Sequence, residues 1–161
     1  MKIFDTHAHY DDEAFDKDRD ELLTGLLAGN IGTIVNVGAS MDGCRASVEL
    51  ASKYEHIYAA VGIHPDDYER LDKLNLNEDI ISWLKEEALS NPKVVAIGEI
   101  GLDYYYDEPG RELQKKWFAR QLELANEVNK PVIIHSRDAC ADTIDILKNG
   151  HAQDIGGIIH C

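Results

Sequence analysis

The sequence predicts a parallel α/β fold, and three observations predict it. Short runs rich in Val and Ile recur along the chain. They are nearly continuous in apolar residues, as strands covered on both faces must be. Longer stretches with helical spacing lie between them, and prolines and glycines fall at the joints. The two patterns alternate, giving strand–helix five times and then a sixth strand. Periodicity alone leaves open whether the sheet is doubly wound or a (β/α)8 barrel.

The strands are expected at residues 2–7, 33–38, 57–63, 94–100, 132–135 and 157–159. The first helix is expected over 16–27, with Leu22, Leu23, Leu26 and Leu27 on one side. The second spans 41–54 and follows Ser40, whose hydroxyl suits an N-cap. The third, 77–89, carries Ile80, Ile81, Trp83, Leu84 and Leu89. The fourth, 112–128, carries Leu113, Trp117, Phe118, Leu122, Leu124, Ala125 and Val128. The fifth, 138–147, carries Ala139, Ile144, Ile146 and Leu147. Pro92 and Pro131 stop the helices before two strands, and Gly29 and Gly150 sit where C-terminal caps belong. No linker, repeat or low-complexity segment interrupts residues 1–161, which read as a single domain. The first strand–helix junction has no GxGxxG and no GxxxxGK[ST], which weakens a nucleotide-binding open sheet.

With 44% apolar residues, the 161-residue chain can build one sizeable core. No apolar run reaches the roughly 18 residues of a membrane span. The start, Met1-Lys2-Ile3-Phe4-Asp5, goes straight into a strand and lacks a signal-peptide pattern. A cytoplasmic protein with no membrane partner is expected. Cys44, Cys140 and Cys161 are odd in number and widely spaced, which suits free thiols in a reducing compartment. The net charge of -14 argues against tight nonspecific nucleic-acid binding, which needs basic surface. It does not exclude a nuclease, because bound divalent cations reverse the local sign. The acidic run from Asp11 to Glu21 is expected to solvate a helix face.

The chemistry lies at strand ends. In Asp5-Thr6-His7-Ala8-His9, alternation points Asp5, His7 and His9 the same way. Two imidazoles so placed can share a cation, although HxH alone is a weak signal. Glu99, His135 and His160 each follow an apolar strand run. Any one of these histidines taken singly reads better as a packing residue. Four strands that deliver His, His, Glu, His and His to one rim read as a metal site, because strand C-termini build the active sites of parallel barrels. Imidazoles with a carboxylate suit Zn, Mn, Fe or Co better than Ca, and a carboxylate can bridge two cations. The reaction class is metal-assisted hydrolysis, and the constellation favours the barrel over the open sheet.

Five segments together resemble the TatD family of amidohydrolase-like metal-dependent hydrolases. They are Ile3 to Asp11, Val61-Gly62-Ile63-His64-Pro65, Gly98 to Tyr104, Pro131 to Arg137, and Gly156 to Cys161. The resemblance implies a TIM-type barrel whose members hydrolyse DNA, commonly as Mg2+-dependent exonucleases. Two divalent metal ions (Mg2+, Mn2+ or Zn2+) and DNA, single-stranded or at a 3' end, are the implied cofactors and partner. His7 and His9 would hold one metal, Glu99 would bridge and serve catalysis, and His135 and His160 would hold the other. His64, Tyr104 and Arg137 fall in segments near the pocket as substrate contacts, and the planar fork of Arg137 suits phosphate. Asp103 would orient the loop or a ligand, and Asp5 would support an imidazole or serve structure alone.

The resemblance also implies parts that these 161 residues lack. A (β/α)8 barrel takes about 250 residues, and about six strands and five helices are present here. The family's aspartate near the eighth strand, a ligand of the first metal and a candidate base, is missing. The expectation is therefore an incomplete barrel with open edges at its first and sixth strands, poorly soluble or oligomeric, or completed by another chain. The competing readings are a related hydrolase of a small ester or amide and an inactive, truncated metal-binding fragment. Relatives of the first kind typically bridge their metals with lysine, where this chain has Glu99.

Overall fold

The computed structural model describes residues 1–74, 77–106 and 109–161. Six strands form one sheet: β1 (Ile3–Ala8), β2 (Ile31–Val37), β3 (Ile57–Val61), β4 (Val94–Asp103), β5 (Val132–Arg137) and β6 (Gly157–His160). They lie in sequence order, and every neighbouring pair is parallel. A doubly wound sheet reverses its strand order at a switch point. This one never does, so the open question of the sequence resolves toward the barrel.

Side-chain contacts show the curl directly. A flat sheet would set its first and sixth strands about 24 Å apart, at about 4.8 Å per step. Yet the rings of His7 on β1 and His160 on β6 lie 3.9 Å apart, centroid to centroid. The sheet is a half-barrel bent around its inner face. That face is small: Val35, Val37, Ala60, Ala96 and Ile133 form a separate inner cluster. The main core lies between the sheet and the helices α1 (Arg19–Ala28), α2 (Met41–Lys53), α3 (Tyr68–Lys73), α4 (Asn77–Ser90), α5 (Arg111–Val128) and α6 (Cys140–Asn149). No described helix is long and apolar enough to cross a membrane.

Several expectations need correction. α1 starts at Arg19 rather than residue 16, because Asp12 caps a short 3-10 turn at Glu13–Phe15. The Arg19 guanidinium gathers the carbonyls of Tyr10, Asp11 and Asp12 and the Asp16 carboxylate. The front of the acidic run is thus a tied loop, not a solvated helix face. α3 was not expected; Tyr68 and Leu71 bury its inner side. β4 runs three residues past its expected end, with Ile100 and Leu102 fully buried. In α6 only Thr143 is buried, and Ile144 stays exposed.

Gly101 permits that extension. It sits at φ +142°, and a Cβ there would lie 2.0 Å from the carbonyl oxygen of His135. Only glycine lets β4 approach β5 so closely. At the other extreme, β1 and β6 each have one neighbouring strand among the described residues. Phe4 is 60% exposed on β1 and Ile159 is 57% exposed on β6. The expectation of strands covered on both faces therefore holds at the centre and fails at the two edges.

Candidate metal centre

Glu99 is the hub. It lies on β4, the most deeply buried strand, and is only 4% exposed. A buried carboxylate needs charged or hydrogen-bonding partners, and here five imidazoles surround it. The Nε2 atoms of His7 and His9 lie 3.4 and 3.3 Å from its Oε2. On the other oxygen, Oε1, His160 Nε2 lies at 2.8 Å, His135 Nδ1 at 3.2 Å and His64 Nε2 at 3.7 Å. Strand alternation explains the convergence. His135 has the parity of Ile133 in the inner cluster, so it enters the barrel mouth from β5. His7 and His160 enter from the two edge strands, and His9 follows directly after β1.

Second partners decide what each ring can do. His135 Nε2 lies 2.9 Å from Asp103 Oδ2. With the Nε2 proton given to that carboxylate, the Nδ1 lone pair faces Glu99, the arrangement of a histidine held ready for a cation. His64 is set the opposite way. The Asp66 backbone N–H donates to its Nδ1 at 3.2 Å, so the neutral ring carries its proton on Nε2. His64 therefore offers Glu99 a donor and not a lone pair. It also caps the short turn Pro65–Asp67.

The donor set fits divalent cations. The Nε2 atoms of His7 and His9 face each other at 2.9 Å, close enough for one ring to donate to the other and for both to reach one ion. His160 Nε2 is buried and lies within ion-pair distance of Glu99, yet off the line a hydrogen bond requires. His7 Nδ1 is likewise buried with no hydrogen-bond partner among the described residues. The ligand atoms of His7, His9 and Glu99 lie within 4.8 Å of one another. The Glu99 carboxylate dominates the local electrostatics. Burial alone would raise Glu99, but His135, His160, His7 and His9 outweigh it and hold the carboxylate far below its usual range. The Glu99 carboxylate raises His9, against the opposing effect of burial. Burial pulls His135 down, and Glu99 and Asp103 more than restore it. His64 is lowered, first by burial.

The remaining expected residues lie outside this cluster. The Tyr104 hydroxyl donates to Asp142 Oδ2 at 2.7 Å. β4 ends at Asp103, and alternation no longer aims the next side chain inward. Arg137 lies above the cluster on β5, its guanidinium 3.7 Å from the Tyr105 ring centroid. Asp5 accepts the backbone N–H of His7 at 3.2 Å and so braces the strand rather than a ring.

Two supports escaped the sequence reading. Gln114, fully buried, donates to the carbonyls of Asp103 and Pro109 and accepts the Asp103 N–H, which fixes the end of β4. Gln121 similarly takes both backbone groups of Ile63, next to His64. Their signal was available: two glutamines seven residues apart on the apolar face of α5. A concavity of about 1010 Å³, lined by Trp117 and Arg120 among others, lies on the helical exterior away from these histidines.

The sequence model of a family described as TatD related DNase matches residues 4–161. The chain belongs to the TatD family. This TatD-family chain is 42% identical over 159 residues to the uncharacterized metal-dependent hydrolase YabD of Bacillus subtilis (strain 168). That match covers 99% of the chain and 60% of YabD. It is 32% identical to the 3'-5' ssDNA/RNA exonuclease TatD of Escherichia fergusonii, over 99% of the chain and 59% of that protein. Among solved structures it superposes on YJJV, a TatD homolog from Escherichia coli K12, with a TM-score of 0.86 and 31% identity. There 98% of the chain covers 59% of YJJV. The TatD-family chain thus spans about 60% of the length of the curated relatives it matches.

Proposed function

We propose that this TatD-family chain binds two divalent cations about Glu99 and hydrolyses phosphodiester bonds of nucleic acid, with single-stranded DNA as the leading substrate. The observation that carries this reading is the division of labour on one carboxylate: Oε2 faces His7 and His9, and Oε1 faces His135 and His160. His7 and His9 would hold one ion and His135 and His160 the other, with Glu99 facing both pairs. Divalent cations bound there supply Lewis acidity and offset charge on the phosphoryl oxygens. The name of the Escherichia fergusonii relative supports nucleic acid as the substrate class.

The chain's own groups do the rest. Asp103 holds His135 in one tautomer and one orientation. The His64 Nε2–H points into the cluster and can donate to an oxygen that gains charge there. Arg137, two residues beyond His135 on the same strand, presents a planar fork to a neighbouring phosphate. Three unpaired cysteines suit a reducing compartment, and the cytoplasm is the proposed place of action.

The test is degradation of end-labelled single-stranded DNA by the 161-residue chain with Mg2+ or Mn2+. Cleavage should stop with chelator and in Glu99→Gln. Cleavage that survives both rules the reading out. Turnover of small esters or amides alone would reassign the substrate and leave the metal site standing.

A further inference from the structure

Two tyrosines stand in water beside the cluster. Tyr105 and Tyr106, just past β4, are 56% and 62% exposed. Their rings meet edge to face at 4.8 Å. The Arg137 guanidinium lies 3.7 Å from the Tyr105 centroid and 5.4 Å from that of Tyr106. A second cation, Arg111, lies 4.4 Å from the ring of Tyr104. The core uses neither exposed ring.

Asp103 joins this group to the metal cluster. Its Oδ2 meets His135 Nε2 at 2.9 Å, and its Oδ1 accepts the Tyr105 backbone N–H at 2.9 Å. The strand register pairs Gly101 with His135 and Asp103 with Arg137. Arg137 therefore stands two residues, roughly 7 Å, beyond His135 along β5.

We propose that Tyr105, Tyr106 and Arg137 form a base-stacking subsite that holds a nucleobase of single-stranded nucleic acid next to the phosphate at the metal centre. The proposal rests on the nuclease reading above and adds what recognises the substrate. A chain of net charge -14 gains little from the counterion release that drives most nucleic-acid binding. Stacking on aromatic rings does not depend on net charge, and it tolerates any base. The arginine adds a stacking plane and a local positive charge beside the phosphate.

The test compares two single-stranded oligonucleotides with the metal-loaded 161-residue chain: one with all its bases, one abasic at its last three 3' positions. The subsite predicts a KM roughly tenfold lower for the complete strand. Tyr105→Ala/Tyr106→Ala should erase the difference, and Tyr105→Phe/Tyr106→Phe, which keeps both ring faces, should retain it. Equal KM values in the unsubstituted chain, or a preference that survives the alanine pair, overturn the subsite and leave the nuclease reading intact. If neither strand is cut, the nuclease reading fails, and a strand carrying 2-aminopurine near its 3' end decides the subsite alone. Fluorescence quenching that the alanine pair abolishes supports it, and no quenching overturns it.

Discussion

The centre of the sheet and its two edges feed the same site on different terms. β3 and β4 are buried almost throughout, and they hold Glu99 at 4% exposure between inner and outer apolar clusters. β1 and β6 leave Phe4 and Ile159 more than half exposed, yet they deliver His7 and His160. The group that faces both proposed ions sits on the most deeply buried strand, where packing on both faces fixes its position. The imidazoles that complete each half sit where little packing fixes them. A bound cation would therefore do two jobs: chemistry at the mouth, and a cross-link between strands that are otherwise held on one side only.

The largest expected effect falls at the centre. Gly101→Ala forces a side chain to within 2.0 Å of the His135 carbonyl oxygen at a φ that only glycine accepts readily. It should cost about 4 kcal/mol or more in chemical denaturation, and a loss below about 1 kcal/mol would show that β4 and β5 can separate cheaply. Next comes a matched pair of truncations. Ile97→Ala on β4, where the side chain is fully buried, should cost about 3 kcal/mol. Ile159→Ala on β6, already 57% exposed, should cost under about 1 kcal/mol. Equal losses would mean that the edge is packed in solution, through association that light scattering would reveal.

Asp103→Asn sharpens the comparison without removing a proposed ligand. It leaves His135 without its charged partner, and affinity for the second ion should fall roughly 10- to 100-fold in a metal titration. Unchanged affinity would reduce Asp103 to a turn-forming residue. The smallest effect concerns Cys44, whose thiol burial raises from 9.0 to about 12. Its proton is held more tightly in the folded state, so its contribution to stability is complete below pH 9 and is lost as pH rises through 12. Alkylation at pH 8 should label the exposed Cys140 and Cys161 and spare Cys44. Labelling of Cys44 at a comparable rate would show that the β3–α2 packing opens readily.

Much of this was legible in the chain because it depends on local pattern. Runs of Val and Ile placed all six strands, and an ionisable residue after each apolar run marked Glu99, His135 and His160. What the pattern could not carry was distance. The approach of His7 to His160 depends on the curl of the whole sheet. The Asp103–His135 contact joins residues 32 apart in sequence. Alternation predicts facing only while the strand lasts, and β4 ends one residue before Tyr104, whose hydroxyl meets Asp142. α3 is too short at six residues to show a helical period.

The most direct test of the central claim is the number of Mn2+ ions bound per chain, read by calorimetry and native mass spectrometry on the 161-residue protein and on Glu99→Gln. The account predicts two ions on the unsubstituted chain, with both weakened together in Glu99→Gln because each relies on one oxygen of the same carboxylate. Two ions retained at full affinity in Glu99→Gln, or none on the unsubstituted chain, would contradict it.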